Sequence, residues 1–272
     1  LAVQIGHAGR KASCQKPWEG GAAIAPGNDN GWQVLAPSAI PFSEGGPLPE
    51  SMSGEQIRRT IADFVAAAQR AVDIGLDGIE LHAAHGYLLH EFLSPLSNQR
   101  DDDYGGSLEN RMRLTLEVFD AVRAAIPQYV MLGIRISATD WVEGGWDLEQ
   151  SIELAKALDR RGCHYLHVSS GGLSAQQQIP VAPNYQVPHA EALKAQVKMP
   201  VIAVGLITEP QQAEDLLANE RADAIALARG ILYDPRWPWH AAAALGDTVK
   251  AAPQYLRCQP HGLKSLLENQ QD

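Results

Sequence analysis

The sequence predicts an α/β fold of parallel strands and crossover helices, arranged as a (β/α)8 barrel, on three observations. Short apolar segments alternate with helical ones about six times along the 272 residues, and most are apolar throughout, as in parallel strands covered on both faces. Such alternation admits either an open doubly wound sheet or a closed barrel, but no G-x-G-x-x-G occurs to make the phosphate turn of a dinucleotide-binding doubly wound domain. Finally, the polar residues that look chemical fall just after strand ends, where barrel enzymes keep their sites. These are His7 and Arg10, His82 and His85, Arg135, Ser169 and Ser170, Gly205, and Arg229.

In chain order, strands are expected at 2–5, 78–81, 130–136, 165–168, 201–204 and 224–227. The first long helix starts at the capping box Ser53-Gly-Glu-Gln56, ahead of Ile57, Ile61, Phe64, Val65, Ala68 and Val72 on one apolar stripe. Ser107 opens a second, whose Leu108, Met112, Leu116, Phe119 and Val122 recur every three or four residues. Asp147 and Thr208 are expected to cap two more. Six strands cannot close an eight-stranded barrel, so this reading takes them as strands three to eight and expects two more ahead of Leu1. The opening LAVQIGHAGR agrees, since it reads as a strand entered partway through a fold and lacks the marks of a signal peptide. Residues 1–272 are read as one domain, N-terminally incomplete. The Gly- and Pro-rich stretch 11–52 is expected to be an elaborated loop over the barrel mouth, and 236–272 a C-terminal helix and tail.

Composition narrows the function. A formal charge of −10 argues against nucleic acid or an anionic membrane as partner, since both reward basic surfaces. No apolar run approaches the roughly 18 to 20 residues that cross a bilayer. Three scattered cysteines, with no C-x-x-C pair, suit a reducing cytoplasm.

The densest chemical run is Glu80-Leu-His-Ala-Ala-His-Gly-Tyr-Leu-Leu-His-Glu-Phe-Leu-Ser-Pro95. Its His-x-x-His could be a metal pair or a helix cap, but zinc needs three or four ligands and no further ligand motif stands out, so no metal is expected. The run, followed by the 98–111 segment NQRDDDYGGSLENR, resembles the signature of old yellow enzymes, FMN-dependent ene-reductases, in their thermophilic-like branch. That resemblance implies that His82 and His85 hold the oxygen of an activated alkene and that Tyr87 delivers a proton. The chemistry is sound: negative charge develops on the substrate oxygen as hydride reaches the β-carbon, and preorganised N–H donors stabilise it. A phenol stays protonated at neutral pH and can supply the α-carbon proton. His90 falls outside the pattern and reads as structural.

The opening Gln4-Ile-Gly-His7-Ala-Gly-Arg10-Lys11 resembles the family's third strand, which implies that Gln4 bonds the flavin pyrimidine edge, while His7 and Arg10 are read as loop anchors or site neighbours. Arg135, a cation inside an apolar strand, requires an anionic partner; the resemblance supplies flavin N1 and O2, the alternative being a barrel carboxylate. Ser170 and Gly171 are expected to add flavin-side contacts. Gly205, Ala228 and Arg229, after the last two strands, are expected to hold phosphate by backbone and by a bidentate guanidinium. The family often has Gly where this chain has Ala228. The 252–257 run APQYLR resembles the branch's tail, which implies that Arg257 reaches a neighbouring subunit's site in a homodimer or tetramer. The resemblance implies FMN as cofactor, NADPH or NADH as reductant, and a small-molecule activated alkene as substrate. A flavin-free barrel that binds a phosphorylated metabolite and an inactive or partial barrel remnant remain alternatives at this point.

Overall fold

Residues 1–269 are described by a computed structural model. Its central sheet has six strands: β1 (Ala2–Ile5), β2 (Gly78–Ala83), β3 (Met131–Ser137), β4 (Leu166–Ser169), β5 (Val201–Ala203) and β6 (Ala224–Ile225). They lie side by side in sequence order, each parallel to the next. Sequential order with parallel pairing requires a crossover at each step, which makes these strands consecutive staves of a (β/α) barrel rather than a doubly wound sheet. Among the described residues β6 does not bond to β1.

The crossovers carry helices α1 (Gly54–Asp73), α2 (Leu88–Leu93), α3 (Leu108–Ala125), α4 (Leu148–Asp159), α5 (Val187–Lys194) and α6 (Pro210–Ala218), and α7 (Arg229–Tyr233) and α8 (Trp237–Leu245) follow β6. Three begin as expected. Ser53 Oγ accepts the Gln56 amide at 3.2 Å while Gln56 Oε1 accepts the Ser53 amide at 2.7 Å, completing the capping box. Ser107 and Asp147 likewise accept from Asn110 and Gln150. The fourth differs, for Glu209 and not Thr208 is the N-cap of α6, because Pro210 takes the first helical position, where its fixed φ and missing amide cost nothing.

The strands depart from the all-apolar expectation in one respect. On the face toward the helices, Ile79, Leu81, Leu132, Ile134, Leu166 and Val168 are fully buried. They pack against Phe64 and Ala68 of α1, Val118 and Phe119 of α3, and Leu154 and Leu158 of α4. The alternate positions on the concave face are Glu80, His82, Arg135, Ser137, His167 and Ser169. Register aligns them: His82 pairs with Arg135, Arg135 with His167, and Ser137 with Ser169. A polar concave face has no partner within the apolar core and needs another occupant.

The stretch from Ala12 to Met52 contains one short 3-10 turn and a two-residue parallel pairing of Leu35–Ala36 with Glu50–Ser51. Val34, Ala36 and Met52 are nevertheless buried. After α8, Val249–Ala251 pairs with Leu267–Asn269, and Ala251, Leu266 and Leu267 form a small apolar cluster with Trp239 and Leu256. The tail is thus partly packed against α8. Residues 270–272 lie outside the described residues.

Candidate active site

The exits of β2 and β4 build the centre of the site. Beyond β2 the chain turns through His85 and Gly86, both in the left-handed region with φ of 57° and 71°. That conformation is costly for His85 and persists only because surrounding contacts over-determine it. The His85 amide donates to Ser137 Oγ at 2.9 Å. Gly172, with φ of 89°, lies so close that a Cβ there would come within 2.5 Å of His85 Cα. Lys11 closes the cluster, its Nζ donating to the His85 carbonyl at 2.8 Å and to the Gly172 carbonyl. Below the turn, fully buried His90 accepts the Gly86 amide on Nδ1 at 2.9 Å and places Nε2 2.8 Å from Asp140 Oδ1, although its N–H points off that line. His90 therefore supports the turn, as its reading as a structural residue anticipates.

The two imidazoles form a chain. His82 Nδ1 accepts the Ala84 amide at 3.2 Å, which places the proton of the neutral ring on Nε2. His82 Nε2 lies 3.3 Å from His85 Nδ1, and His85 Nε2 lies 2.7 Å from Ser169 Oγ. Burial, reinforced by the nearby Arg135 charge, lowers His82 to about 4 and His85 to about 2, so both rings are neutral at pH 7. The Tyr87 ring packs 4.8 Å from that of His82, and among the described residues its hydroxyl has no hydrogen-bond partner.

A cleft of about 380 Å³ opens beside them, and His85, Arg135, Ser170, Gly205, Ala228 and Arg229 all line it. Six of the residues singled out in the sequence, from five successive strands, thus line one cavity. Arg135 is the informative one. Its Nε is buried without a partner, and among the described residues its guanidinium forms no ion pair. Glu80, the barrel carboxylate that could have paired with it, instead contacts His167 Nδ1 at 3.1 Å and accepts from Gln4 Nε2 at 2.5 Å. Burial alone would raise Glu80, but the His167 and Gln4 bonds, with Arg135 more remotely, leave its carboxyl below the usual range. A half-buried cation without an anion, facing a cleft, suits the electron-rich edge of a flavin ring. A second cavity of about 460 Å³ lies on the far side of Lys11, between Tyr87 and the loop residues Cys14, Phe42 and Pro47.

Five expected residues fall outside the cleft lining: His82, which stands behind His85, Tyr87, which lines the second cavity, and Gln4, Gly171 and Arg257. Gln4 is exposed on β1 and bonded to Glu80. The Gly171 amide donates to the Thr139 carbonyl at 2.8 Å, so Gly171 contributes shape through its φ of 68° rather than a free N–H. Arg257 is exposed in the turn Pro253–Cys258. Of the two residues with open roles, Arg10 is a loop anchor: its guanidinium donates to the carbonyls of Ile40, Pro41 and Leu173. Two contributors escaped the sequence reading. Lys11 was part of the opening motif but had no role, and Gln186 carried no signal. Gln186 is buried, accepts from Ser170 Oγ at 2.6 Å and Ser169 Oγ at 3.3 Å, and donates to the Val204 carbonyl at 2.9 Å, bracing the β4 exit against the β5 exit. Among the described residues no group of three or more His, Cys, Asp or Glu side chains could hold a metal ion. None of the described helices is long and apolar enough to cross a membrane.

Residues 1–247 match the NADH:flavin oxidoreductase / NADH oxidase family. An NADPH dehydrogenase of Listeria innocua is 42% identical over 255 residues, which span 94% of this chain and 70% of that protein. Among solved structures, morphinone reductase in complex with tetrahydroNAD superimposes with a TM-score of 0.67 at 31% identity, covering 93% of this chain and 68% of that one. A 2-naphthoyl-CoA reductase gives a TM-score of 0.77 at 29% identity over 90% of this chain, although the chain spans only 38% of that larger protein. With the neutral histidine pair, the unpaired Arg135 and the cleft all at the strand ends, the chain belongs to the NADH:flavin oxidoreductase / NADH oxidase family, whose cofactor is FMN.

Proposed function

We propose that the protein is an FMN-dependent ene-reductase that takes reducing equivalents from NADPH or NADH and reduces the activated C=C bond of an α,β-unsaturated carbonyl or nitro compound. The observation that carries this reading is the neutral His82–His85 pair next to a free phenol and a cleft lined by an anion-seeking arginine. When bound, FMN supplies hydride transfer, and the protein supplies binding, orientation and electrostatics. Arg135 faces the negative edge of the ring, while Arg229, exposed at the cleft rim beside Ala228 and Gly205, holds the phosphate. Ser170 lines the wall between them.

Neutrality of the histidines is essential to the chemistry. An imidazolium beside Arg135 would add a second cation at high desolvation cost, whereas a neutral N–H donates to the substrate oxygen as charge develops there and costs no reorganisation. Tyr87 gives its proton to the α-carbon, a role supported by its ring contact with His82. Arg257 acts in a neighbouring copy of a homodimer or tetramer, a reading supported by exposed Leu232 and Tyr233 on α7 as an apolar pair suited to an interface.

Titrating the purified protein with FMN tests the proposal, followed by a phenol and then NADPH with 2-cyclohexenone. Flavin absorbance shifted on binding, a charge-transfer band with the phenol, and NADPH oxidation dependent on the enone are expected. A colourless protein with full turnover would refute it in favour of the flavin-free barrel, and FMN binding without any enone-dependent turnover would refute the ene-reductase assignment.

A further inference from the structure

The chain of hydrogen bonds from Ala84 to Gln186 has two proton settings, and only one of them suits an oxygen guest. In the ligand-free setting His82 Nε2–H donates to His85 Nδ1, so the proton of neutral His85 sits on Nε2 and is directed at Ser169 Oγ, 2.7 Å away. One donor then points at its neighbour and the other at a serine. Neither is free for a substrate.

In the alternative setting the His85 proton is on Nδ1. Both His82 Nε2–H and His85 Nδ1–H then point into the space between the rings, where the two nitrogens are 3.3 Å apart. Without a guest the opposed N–H groups repel each other, and with an oxygen between them, after a small outward movement of the rings, both donate to it. His85 Nε2 is then a lone-pair acceptor and needs a donor. Ser169 is the group that can change roles, because a hydroxyl both donates and accepts. Its O–H is directed at Gln186 Oε1 across a long 3.3 Å contact, while Ser170 already satisfies that oxygen at 2.6 Å. Turning the Ser169 hydroxyl toward His85 therefore sacrifices little.

We infer that Ser169 is a positioning residue that sets the tautomer of His85, converting the His82–His85 pair from a self-bonded couple into a two-donor clamp when an oxyanion enters. The interconversion moves no net charge: Nε2 gives one proton to water and Nδ1 takes one from water, while the Ser169 hydroxyl hydrogen stays on its oxygen and rotates. This rests on the ene-reductase reading of the same site.

The test uses the FMN-loaded protein with 15N-labelled histidine and 4-hydroxybenzaldehyde, whose phenolate oxygen mimics the developing oxyanion. Two-bond 1H–15N spectra should show His85 protonated at Nε2 without the phenol and at Nδ1 with it. Ser169→Ala, assayed with saturating FMN, should weaken phenol binding about 10-fold, the scale of one lost hydrogen bond to a buried acceptor. Ser169→Thr keeps the hydroxyl and should keep both the tautomer change and the affinity; it also serves if the alanine variant folds poorly. Phenol binding with His85 still protonated at Nε2, or wild-type phenol affinity in Ser169→Ala, would overturn the inference and leave the ene-reductase reading intact. No phenol binding by the wild-type protein would overturn both.

Discussion

Replacing Glu91 by glutamine should change how the stability of this protein responds to pH. Glu91 is fully buried in α2, its Oε1 accepting the Arg10 amide at 2.9 Å and its Oε2 without a partner. Burial pushes its carboxyl up to about 8, against partial relief from the Arg10 amide bond and the Arg10 and Lys11 charges. In the unfolded chain the same group titrates near the ordinary glutamate value. Between those two values the folded protein holds a proton that the unfolded chain has lost, so its stability falls as pH rises, by about 1.4 kcal/mol per pH unit. The contribution is complete below the unfolded value and gone above about 8. The carboxamide introduced by Glu91→Gln cannot titrate but keeps the acceptor for Arg10. The wild-type protein should therefore lose roughly 3 kcal/mol relative to Glu91→Gln between pH 5.5 and 7.5. Urea unfolding of both proteins at half-unit pH steps measures this. Titrations of groups that do not couple to Glu91 are common to the pair and cancel, as does any constant offset from the new amide. A difference that stays flat across that range would refute a raised Glu91.

Further outcomes concern the site itself. Gly172→Ala puts a Cβ within 2.5 Å of His85 Cα at a φ of 89°, and should cost about 3 kcal/mol of stability, read in thermal or urea unfolding. Lys11→Met leaves the His85 and Gly172 carbonyls without their donor and should cost about 1 to 3 kcal/mol by urea unfolding, with faster amide exchange confined to those two turns. His85→Ala should slow enone reduction by about 100- to 1000-fold while flavin reduction by NADPH keeps its rate, as stopped-flow absorbance would show. Arg229→Ala should weaken FMN but not riboflavin in fluorescence titrations, since only the phosphate is lost; equal weakening of both would remove Arg229 from the phosphate site.

The legible part of this molecule is the part whose physics is local. Capping at Ser53, Ser107 and Asp147 joins residues three apart, and in each case the helix begins where the side chain predicts. Thr208 misled because Pro210, two positions on, has the stronger local preference. The β2 pattern was harder: Glu80 and His82 interrupt a strand otherwise devoted to the core, and only the shared register with Gly133 and Arg135 explains them as members of one concave polar surface.

The sequence by itself determined the alternation of strand and helix, the helix starts, and the identity of the histidines, tyrosine and arginines gathered at the strand ends, because apolar periodicity and side-chain type are written within a few residues. Tertiary structure alone decided which groups orient them. Lys11 reaches the Gly172 carbonyl across 161 residues, His85 meets Ser169 across 84, and Glu80 is claimed by His167 across 87, which leaves Arg135 unpaired. Such contacts depend on where parallel strands end relative to one another, and hydrogen bonds acting over about 3 Å leave no trace in sequence spacing.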